Sequence, residues 1–171
     1  MKKIIYSLSM LCGVFAFSQS KVLTINNYSQ FKLEGRLMAA NSAPTITNPV
    51  VYAAPNAPYG VYTVPPFLTD IEYKTLSTSG YSILPIDTWY VTDPTYGGSY
   101  AFNNPVMDTV SSMVEWGRFD FVAKDNAGNP VDGFAMGEPF TGAVYYTLGT
   151  HSEADWFTIG DYTYLQVYDY P

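Results

Sequence analysis

Residues 113–124, MVEWGRFDFVAK, carry the pattern that decides the fold of this chain. Apolar and polar side chains alternate along this stretch with a period of two, as they do in a β-strand that is buried on one face. Trp116 falls in one phase of the alternation, whereas Phe119 and Phe121 fall in the other. The phase changes at Gly117, and a β-bulge produces such a change by inserting one extra residue. The stretch therefore predicts a long strand that is bulged near its centre.

Residues 31–39, FKLEGRLMA, predict a second strand with one wet face. The odd-numbered positions are apolar or glycine, and three of the even-numbered positions are charged, which is typical of a strand packed on one side only. The apolar run 22–26 precedes this strand and is joined to it by residues 27–30. Because Asn27 tolerates a turn conformation, we expect the run 22–26 to be the hairpin partner of residues 31–39.

Three further segments extend the β pattern towards the end of the chain. Residues 125–132, DNAGNPVD, have the composition of a hairpin connection. Residues 142–148 and 162–170 predict two more strands. Four tyrosines share one face of the last strand, at positions 162, 164, 168 and 170. This face is either a half-buried sheet surface or an exposed aromatic stripe.

The spacing of the turn residues defines the expected fold class. Turn formers recur about every eight to twelve residues between runs rich in Val, Ile, Thr, Tyr and Phe, which is typical of β-sandwiches and barrels. No window of helical length shows a 3.6-residue period bounded by caps. We therefore expect an all-β protein, a single-domain antiparallel β-sandwich that is jelly-roll or immunoglobulin-like.

Two segments depart from this rhythm. Residues 44–66 contain six of the twelve prolines, and since proline cannot donate to a sheet ladder, we expect a surface or edge segment there and no central strand. Residues 92–112, TDPTYGGSYAFNNPVMDTVSS, are rich in Gly, Asn, Pro, Ser and Tyr. Long irregular segments of this composition often carry function, so we expect a long functional loop.

Residues 1–18, MKKIIYSLSMLCGVFAFS, predict a secretory signal peptide that is cleaved before Gln19. Lys2 and Lys3 give the segment a basic start, and an uncharged, mostly apolar middle follows. The segment ends in Ala-Phe-Ser, which is an A-x-S cleavage site. The apolar part is shorter than the roughly 20 residues that span a bilayer. A lipoprotein signal acylated at Cys12 is the alternative, but the preceding Leu11 is large. The segment resembles signal peptides of secreted Bacteroidota proteins, in which glutamine after the cut is common.

The mature chain, residues 19–171, has the length of one domain. Without Lys2 and Lys3 it carries six basic and fifteen acidic residues, a net charge of about −9. This balance argues against nucleic acid and anionic membrane as partners, since both require clustered Lys or Arg. The segment 1–18 also removes the only cysteine, so we expect a secreted or periplasmic protein without disulfides, stabilised by burial of its many aromatic rings.

Few residues of the mature chain are suited to catalysis. It contains one histidine, His151, no cysteine and none of the common hydrolase, nucleotide-binding or zinc-protease motifs. His151 lies in the segment 149–155, GTHSEAD. That segment is either a polar turn between two strands or a place where an imidazole and two carboxylates meet at a metal. We expect no cofactor.

Glycoside hydrolysis remains open, because it needs only two carboxylates. The sequence VEW at residues 114–116 is similar to the Val-Glu-Tyr around the nucleophile of small jelly-roll xylanases, which the chain also resembles in size and tyrosine content. The resemblance implies Glu115 as nucleophile. That family's second glutamate lies in a Glu-Gly-Tyr-x-Ser-Ser-Gly-like segment, and the nearest analogue here, residues 77–82, has no carboxylate. Glu115 is thus either catalytic or the solvent-facing residue of an alternating strand.

Two further motifs have both a functional and a structural interpretation. Asp125, Asn129 and Asp132 have the oxygen-rich chemistry of a calcium site, but the same residue types form tight hairpins. The sequence Asp108-Thr109-Val110 is similar to the sequon at which Bacteroidota attach O-glycans to exported proteins, and this resemblance implies that Thr109 lies on the surface.

The aromatic residues suggest a ligand site in and just before the segment 92–112. Sugar rings stack on Trp and Tyr, while amide groups bind their hydroxyls. The candidate residues are Trp89, Tyr90, Tyr96, Tyr100, Phe102, Asn103 and Asn104. The predicted function is therefore non-catalytic recognition of a glycan or a protein at the cell exterior. A secreted toxin or pore-forming effector is the first alternative, and a small glycan-active hydrolase is the second.

Overall fold

The computed structural model describes residues 22–43, 48–54 and 61–171, so the predicted signal peptide lies outside the described residues. Within these ranges twelve strands form two sheets that pack face to face. This confirms the predicted all-β sandwich. The strands are β1 Val22–Asn27, β2 Lys32–Ala40, β3 Val50–Ala53, β4 Tyr62–Val64, β5 Ile71–Tyr73, β6 Thr88–Thr92, β7 Gly98–Ala101, β8 Glu115–Lys124, β9 Pro130–Gly137, β10 Tyr146–Leu148, β11 Ser152–Ile159 and β12 Tyr162–Asp169.

The strand order brings distant parts of the chain together. One sheet has five strands in the order β10-β11-β12-β1-β5, and the other has the order β7-β6-β3-β2-β8-β9, with β4 also paired to β2. Most neighbours are antiparallel, but β1 and β12 run parallel. Between the sheets lies a core of interlocking rings, in which Trp89 and Trp116 have their centroids 6.0 Å apart.

The predicted bulge in β8 is confirmed. Met38 of β2 is paired with Arg118 and Ala39 is paired with Trp116, so Gly117 is the extra residue. Because the bulge resets the alternation, both Trp116 and Phe119 point into the core and are buried. A hairpin at residues 125–132 is confirmed as well, since β8 and β9 are antiparallel neighbours, although residues 130–132 already belong to β9.

The predicted hairpin between residues 22–26 and 31–39 is wrong. β1 belongs to the five-stranded sheet and β2 to the seven-stranded one, so the intervening turn crosses from one sheet to the other. The buried Asn27 holds this crossing, because its Nδ2 donates to the carbonyls of Phe31 and Pro65, each at 2.8 Å. Its Oδ1 accepts the N–H and the hydroxyl of Ser29. An asparagine turn occurs both in hairpins and in crossings between sheets. The sequence of residues 27–30 therefore does not distinguish these two connections.

The expectation that the proline-rich segment 44–66 holds no central strand is also wrong. β3 lies inside the seven-stranded sheet, between β2 and β6. Pro49 directly precedes β3 and Pro65 directly follows β4. The described prolines thus flank the strands, where no ladder hydrogen bond from their nitrogen is required.

Residues 92–112 are not the long irregular loop that their composition predicts. They contain β7 and a short helix, α1 Pro105–Ser111, which a search for longer helical windows misses. Asn104 caps the helix by accepting the N–H of Val106 at 2.9 Å, and Pro105 occupies the first helical position, where its missing N–H costs nothing. No helix in the described part of the chain is long and apolar enough to cross a membrane.

Candidate functional site

Trp89, the largest of the predicted ligand residues, belongs to the core. Its side chain is 0% exposed, and its Nε1 donates to Ser79 Oγ at 2.9 Å and to the carbonyl of Leu76 at 3.1 Å. Its neighbour Tyr90 is half-buried on the opposite face of β6. A ligand at the surface therefore has no access to the Trp89 ring.

The other predicted rings lie at the margin of the core. Tyr96, Tyr100 and Phe102 are half-buried and pack against it. The Phe102 ring also supports Tyr81, with the centroids 5.1 Å apart and the planes at 86°. Tyr81 is 78% exposed. The partly exposed rings of this region therefore include one, Tyr81, that the sequence did not single out.

The two predicted asparagines have different surroundings. Asn103 is exposed, whereas the side chain of Asn104 is engaged as the cap of α1. Asn104 is therefore primarily a structural residue. The neighbouring Thr109 is exposed on α1, as the similarity to a glycosylation sequon implies, although it lies on a helix and not in a loop.

A different aromatic surface lies on the outer side of the five-stranded sheet. We call it the aromatic face. Along β12, Tyr162, Tyr164 and Tyr168 alternate with fully buried residues and so point away from the core. Their ring partners come from β11 and from the residue that follows β1, and the face consists of Tyr28, Phe157, Tyr162, Tyr164 and Tyr168.

The rings of the aromatic face are nearly parallel within each group. Phe157 and Tyr164 have centroids 5.1 Å apart and planes at 18°, and Tyr162 follows Tyr164 at 6.4 Å and 25°. Tyr28 and Tyr168 form a second pair at 5.0 Å and 15°. Tyr162 is 45% exposed. The tyrosine spacing did not decide between a half-buried surface and an exposed stripe. In the structure this side of β12 is partly exposed, and ring stacking holds its rings in place.

Polar groups accompany these rings on the same sheet surface. In the register of β11 and β12, Glu153 lies opposite Tyr168 and Asp155 lies opposite Gln166. The hydroxyl of Tyr168 donates to Gln166 Oε1 at 2.5 Å. Burial, followed by the charge of Glu153, raises the pKa of Asp155. Carboxylate and amide groups thus stand beside aromatic rings, which is the combination that binds sugars.

The sequence contained a signal for the aromatic face. The period-two tyrosines of residues 162–170 predicted a shared side, and burial in the structure shows that this side is outward. Phe157 and Tyr28 could not be added from sequence, because their positions beside β12 depend on strand pairing and on the crossing after β1.

Glu115 lies at a separate place, in a cleft at one end of the sandwich. We call this the end cleft. It has a volume of about 320 Å³ and is formed by the start of β8, by α1 and by the beginning of the 3₁₀ helix Leu76–Tyr81. Glu115 is half-buried and accepts a hydrogen bond from Ser42 Oγ. Asp108 lines the same cleft.

The calcium candidates are engaged in internal hydrogen bonds. Asp125 accepts the N–H groups of Ala127 and Asn129 within its own turn, at 2.9 and 2.8 Å. Asp132 accepts hydrogen bonds from a different turn, which contains His151. His151 itself is exposed. In residues 22–43, 48–54 and 61–171, no group of three or more His, Cys, Asp or Glu side chains is placed to hold a metal ion.

Comparison of the chain with protein-family models, with curated proteins and with solved structures gives no match.

Proposed function

We propose that this protein is a secreted or periplasmic, non-catalytic binding protein that recognises a neutral glycan through the aromatic face. The observation that carries the proposal is the set of near-parallel, partly exposed rings along β12, with carboxylate and amide groups beside them. The sequence pattern of residues 1–18 supports export.

The chemistry of the face suits a saccharide better than an apolar ligand. A sugar ring has an apolar side that packs on an aromatic ring, and its hydroxyls require hydrogen-bond acceptors and donors at the edge. Gln166 and Glu153 supply such groups within the same sheet surface as Tyr164 and Tyr168. An apolar ligand would bury these polar groups without partners, which costs free energy.

The charge balance favours a neutral glycan. The full chain has a formal net charge of −7, and it becomes more negative once the predicted signal peptide is removed. Glu153 and Asp155 add negative charge to the face itself. A glycan rich in carboxylates or sulfates would be repelled at this surface.

Binding to a panel of neutral and acidic polysaccharides, measured by affinity electrophoresis and calorimetry, tests the proposal. The proposal predicts saturable binding to at least one neutral polysaccharide and at least tenfold weaker binding in Tyr162→Ala and Tyr168→Ala variants. Tyr162→Phe retains the ring and should retain most of the affinity. Tyr52→Ala is the matched control, since Tyr52 lies on the outward side of β3 in the seven-stranded sheet.

Two results would overturn the proposal. One is the absence of binding to every polysaccharide in the panel. The other is glycan binding that survives both alanine substitutions on the aromatic face but is lost in Tyr96→Ala and Tyr100→Ala variants. That second result would place the glycan site at Tyr96 and Tyr100, as predicted from the sequence.

A further inference from the structure

The end cleft has the dimensions of a small-ligand site and is separate from the aromatic face. Its volume of about 320 Å³ lies at the lower end of the range of about 300–1,000 Å³ that is typical of ligand pockets. Three elements that are not neighbours in a sheet enclose it, namely α1, the start of β8 and the 3₁₀ helix Leu76–Tyr81. This size suits a small organic ligand.

Apolar side chains line the inner part of the end cleft. Ala39, Leu76 and Val114 are all buried residues of its wall. Trp116 also lines it but is only 4% exposed, because its ring packs against Tyr73 and Trp89. Like the other wall residues, Trp116 leaves only a small edge exposed, which is too small to stack a sugar ring but can contact a methylene chain. The wall instead suits a short aliphatic chain.

Hydrogen-bond acceptors line the outer part. Glu115 on β8 and Asp108 on α1 each contribute a carboxylate to the lining. Ser111 lines the cleft too, but its Oγ is buried, so the accessible acceptors are the two carboxylates. Ionised carboxylates only accept hydrogen bonds, so a ligand that donates several of them matches this end of the cleft.

The basic residue of the described lining does not neutralise these carboxylates. Lys74 Nζ lies 3.7 Å from Glu72 Oε1, which is not among the lining residues, and the Lys74 side chain is 74% exposed. An exposed ion pair of this kind contributes little and leaves the lysine hydrated. The lining therefore holds two carboxylates, Asp108 and Glu115, against the one ammonium of Lys74, which gives the end cleft a negative potential.

We propose that the end cleft binds an aliphatic ammonium group. An ammonium ion supplies three donors and no acceptor, and its hydrogen bonds to Asp108 and Glu115 are charge-assisted. The methylene chain behind it packs on Leu76 and Val114, as the stems of lysine side chains do on apolar surfaces. The same chemistry is offered by a free diamine and by a lysine side chain of another molecule.

Calorimetric titration of the full mature protein distinguishes these sources. The probes are 1,5-diaminopentane, Nα-acetyl-lysine N-methylamide and the neutral isostere 1,5-pentanediol. We expect saturable binding of at least one amine, at least tenfold weaker binding of the diol, and loss of amine affinity at high salt. Binding of the diamine alone identifies a free amine as the ligand. Binding of the lysine amide at equal or higher affinity identifies a lysine side chain.

Variants locate the site. Asp108→Asn and Glu115→Gln should each weaken amine binding about tenfold, whereas the matched control Asp87→Asn, exposed outside the cleft, should not. Asp108 is exposed on α1, so its amide variant leaves the fold intact even if Glu115→Gln disturbs the contact with Ser42. Tyr162→Ala should leave amine binding unchanged, which separates this proposal from the glycan proposal.

The inference is overturned by any of three results. They are the absence of saturable binding of both amines at 20 mM, equal affinity for the diol and the diamine, and undiminished amine affinity in both cleft variants. Weaker binding in either cleft variant supports it.

Discussion

The hydroxyl oxygens of Tyr62 and Tyr73 lie 2.7 Å apart inside the sandwich. Tyr62 belongs to β4 of the seven-stranded sheet and Tyr73 to β5 of the five-stranded sheet, so the contact joins the two layers. The Tyr73 hydroxyl donates its proton to the carbonyl of Leu84. Because a hydroxyl has one proton, Tyr62 must donate to Tyr73. The result is a directed hydrogen-bond chain across the core.

The direction of this chain predicts unequal effects of removing its two hydroxyls. Tyr62→Phe deletes one donor and leaves the bond from Tyr73 to Leu84 intact, so we expect a loss of about 1 kcal/mol of unfolding free energy. Tyr73→Phe leaves the buried Tyr62 hydroxyl without its acceptor, so we expect a loss of about 2–3 kcal/mol. Urea denaturation of both variants measures the difference. Equal losses, or a larger loss for Tyr62→Phe, would contradict the assigned direction.

The same pair predicts a loss of stability at alkaline pH. Burial raises the pKa of both hydroxyls, and for Tyr62 the neighbouring Tyr73 raises it further. The folded pKa values exceed the ordinary value of about 10, so the stabilisation is complete below pH 10 and is lost as the pH rises towards the folded values. Each group lowers the unfolding free energy by about 1.4 kcal/mol per pH unit once it ionises in the unfolded chain.

Urea denaturation at pH 9, 10 and 11 measures this dependence. In Tyr62→Phe the slope above pH 10 should be smaller than in the wild type by about 1.4 kcal/mol per pH unit. The remaining slope comes from Tyr73 and from other tyrosines with raised pKa values, such as Tyr145 and Tyr168. An unchanged slope would show that Tyr62 ionises equally in both states.

Hydrogen bonds to the Asp132 side chain connect β9 to the turn between β10 and β11. Its carboxylate accepts the N–H of Thr150 at 2.6 Å, the N–H of His151 at 2.8 Å and the hydroxyl of Ser152 at 2.9 Å. Asp132→Asn removes at least one acceptor, so we expect a loss of about 1–2 kcal/mol at pH 7. Asp87→Asn, on an exposed site, is the control.

The Asp132 contribution should also depend on pH. Burial raises the pKa of this carboxyl, but the hydrogen bonds from Thr150, His151 and Ser152 outweigh that effect and lower it below the ordinary 3.8. The stabilisation is therefore present above pH 3.8 and disappears as the pH falls through the folded pKa. The stability difference between wild type and Asp132→Asn should shrink below pH 4. A constant difference down to pH 2 would exclude this role.

Gly35 permits close pairing of β2 and β8. A Cβ at this position would lie 1.9 Å from the carbonyl oxygen of Asp120, and backbone cannot move aside without breaking the ladder. We expect Gly35→Ala to cost at least about 3 kcal/mol. Gly133 of β9 is the matched control, because a Cβ there meets nothing within 4 Å, and Gly133→Ala should stay within about 0.5 kcal/mol. Thermal unfolding that ranks the two variants equally would contradict this.

The local alternation of side chains was predictable from sequence. The face of residues 31–39 that packs inward and the bulge at Gly117 both follow from the period of two, because each Cβ direction is set by the pleat of its own strand. The fold class follows as well, since many short strands separated by turns can bury their apolar faces only in paired sheets.

The partners of the strands were not predictable in the same way. β1 pairs in parallel with β12, at the opposite end of the chain, instead of with the nearby β2. The turn at Asn27 has the same local chemistry in a hairpin and in a crossing between sheets, so only the burial of β1 beside β12 and β5 decides between them.

For the candidate sites too, local side-chain direction was predictable and long-range contacts were not. The sequence by itself determined that the tyrosines of residues 162–170 share one side, because side-chain direction is a property of the local backbone. The tertiary structure decided that the tyrosine side faces outward, that Trp89 is enclosed, and that Asp108 and Glu115 line one cleft. Exposure and proximity depend on which distant elements cover a side chain, and that is settled only when the two sheets pack.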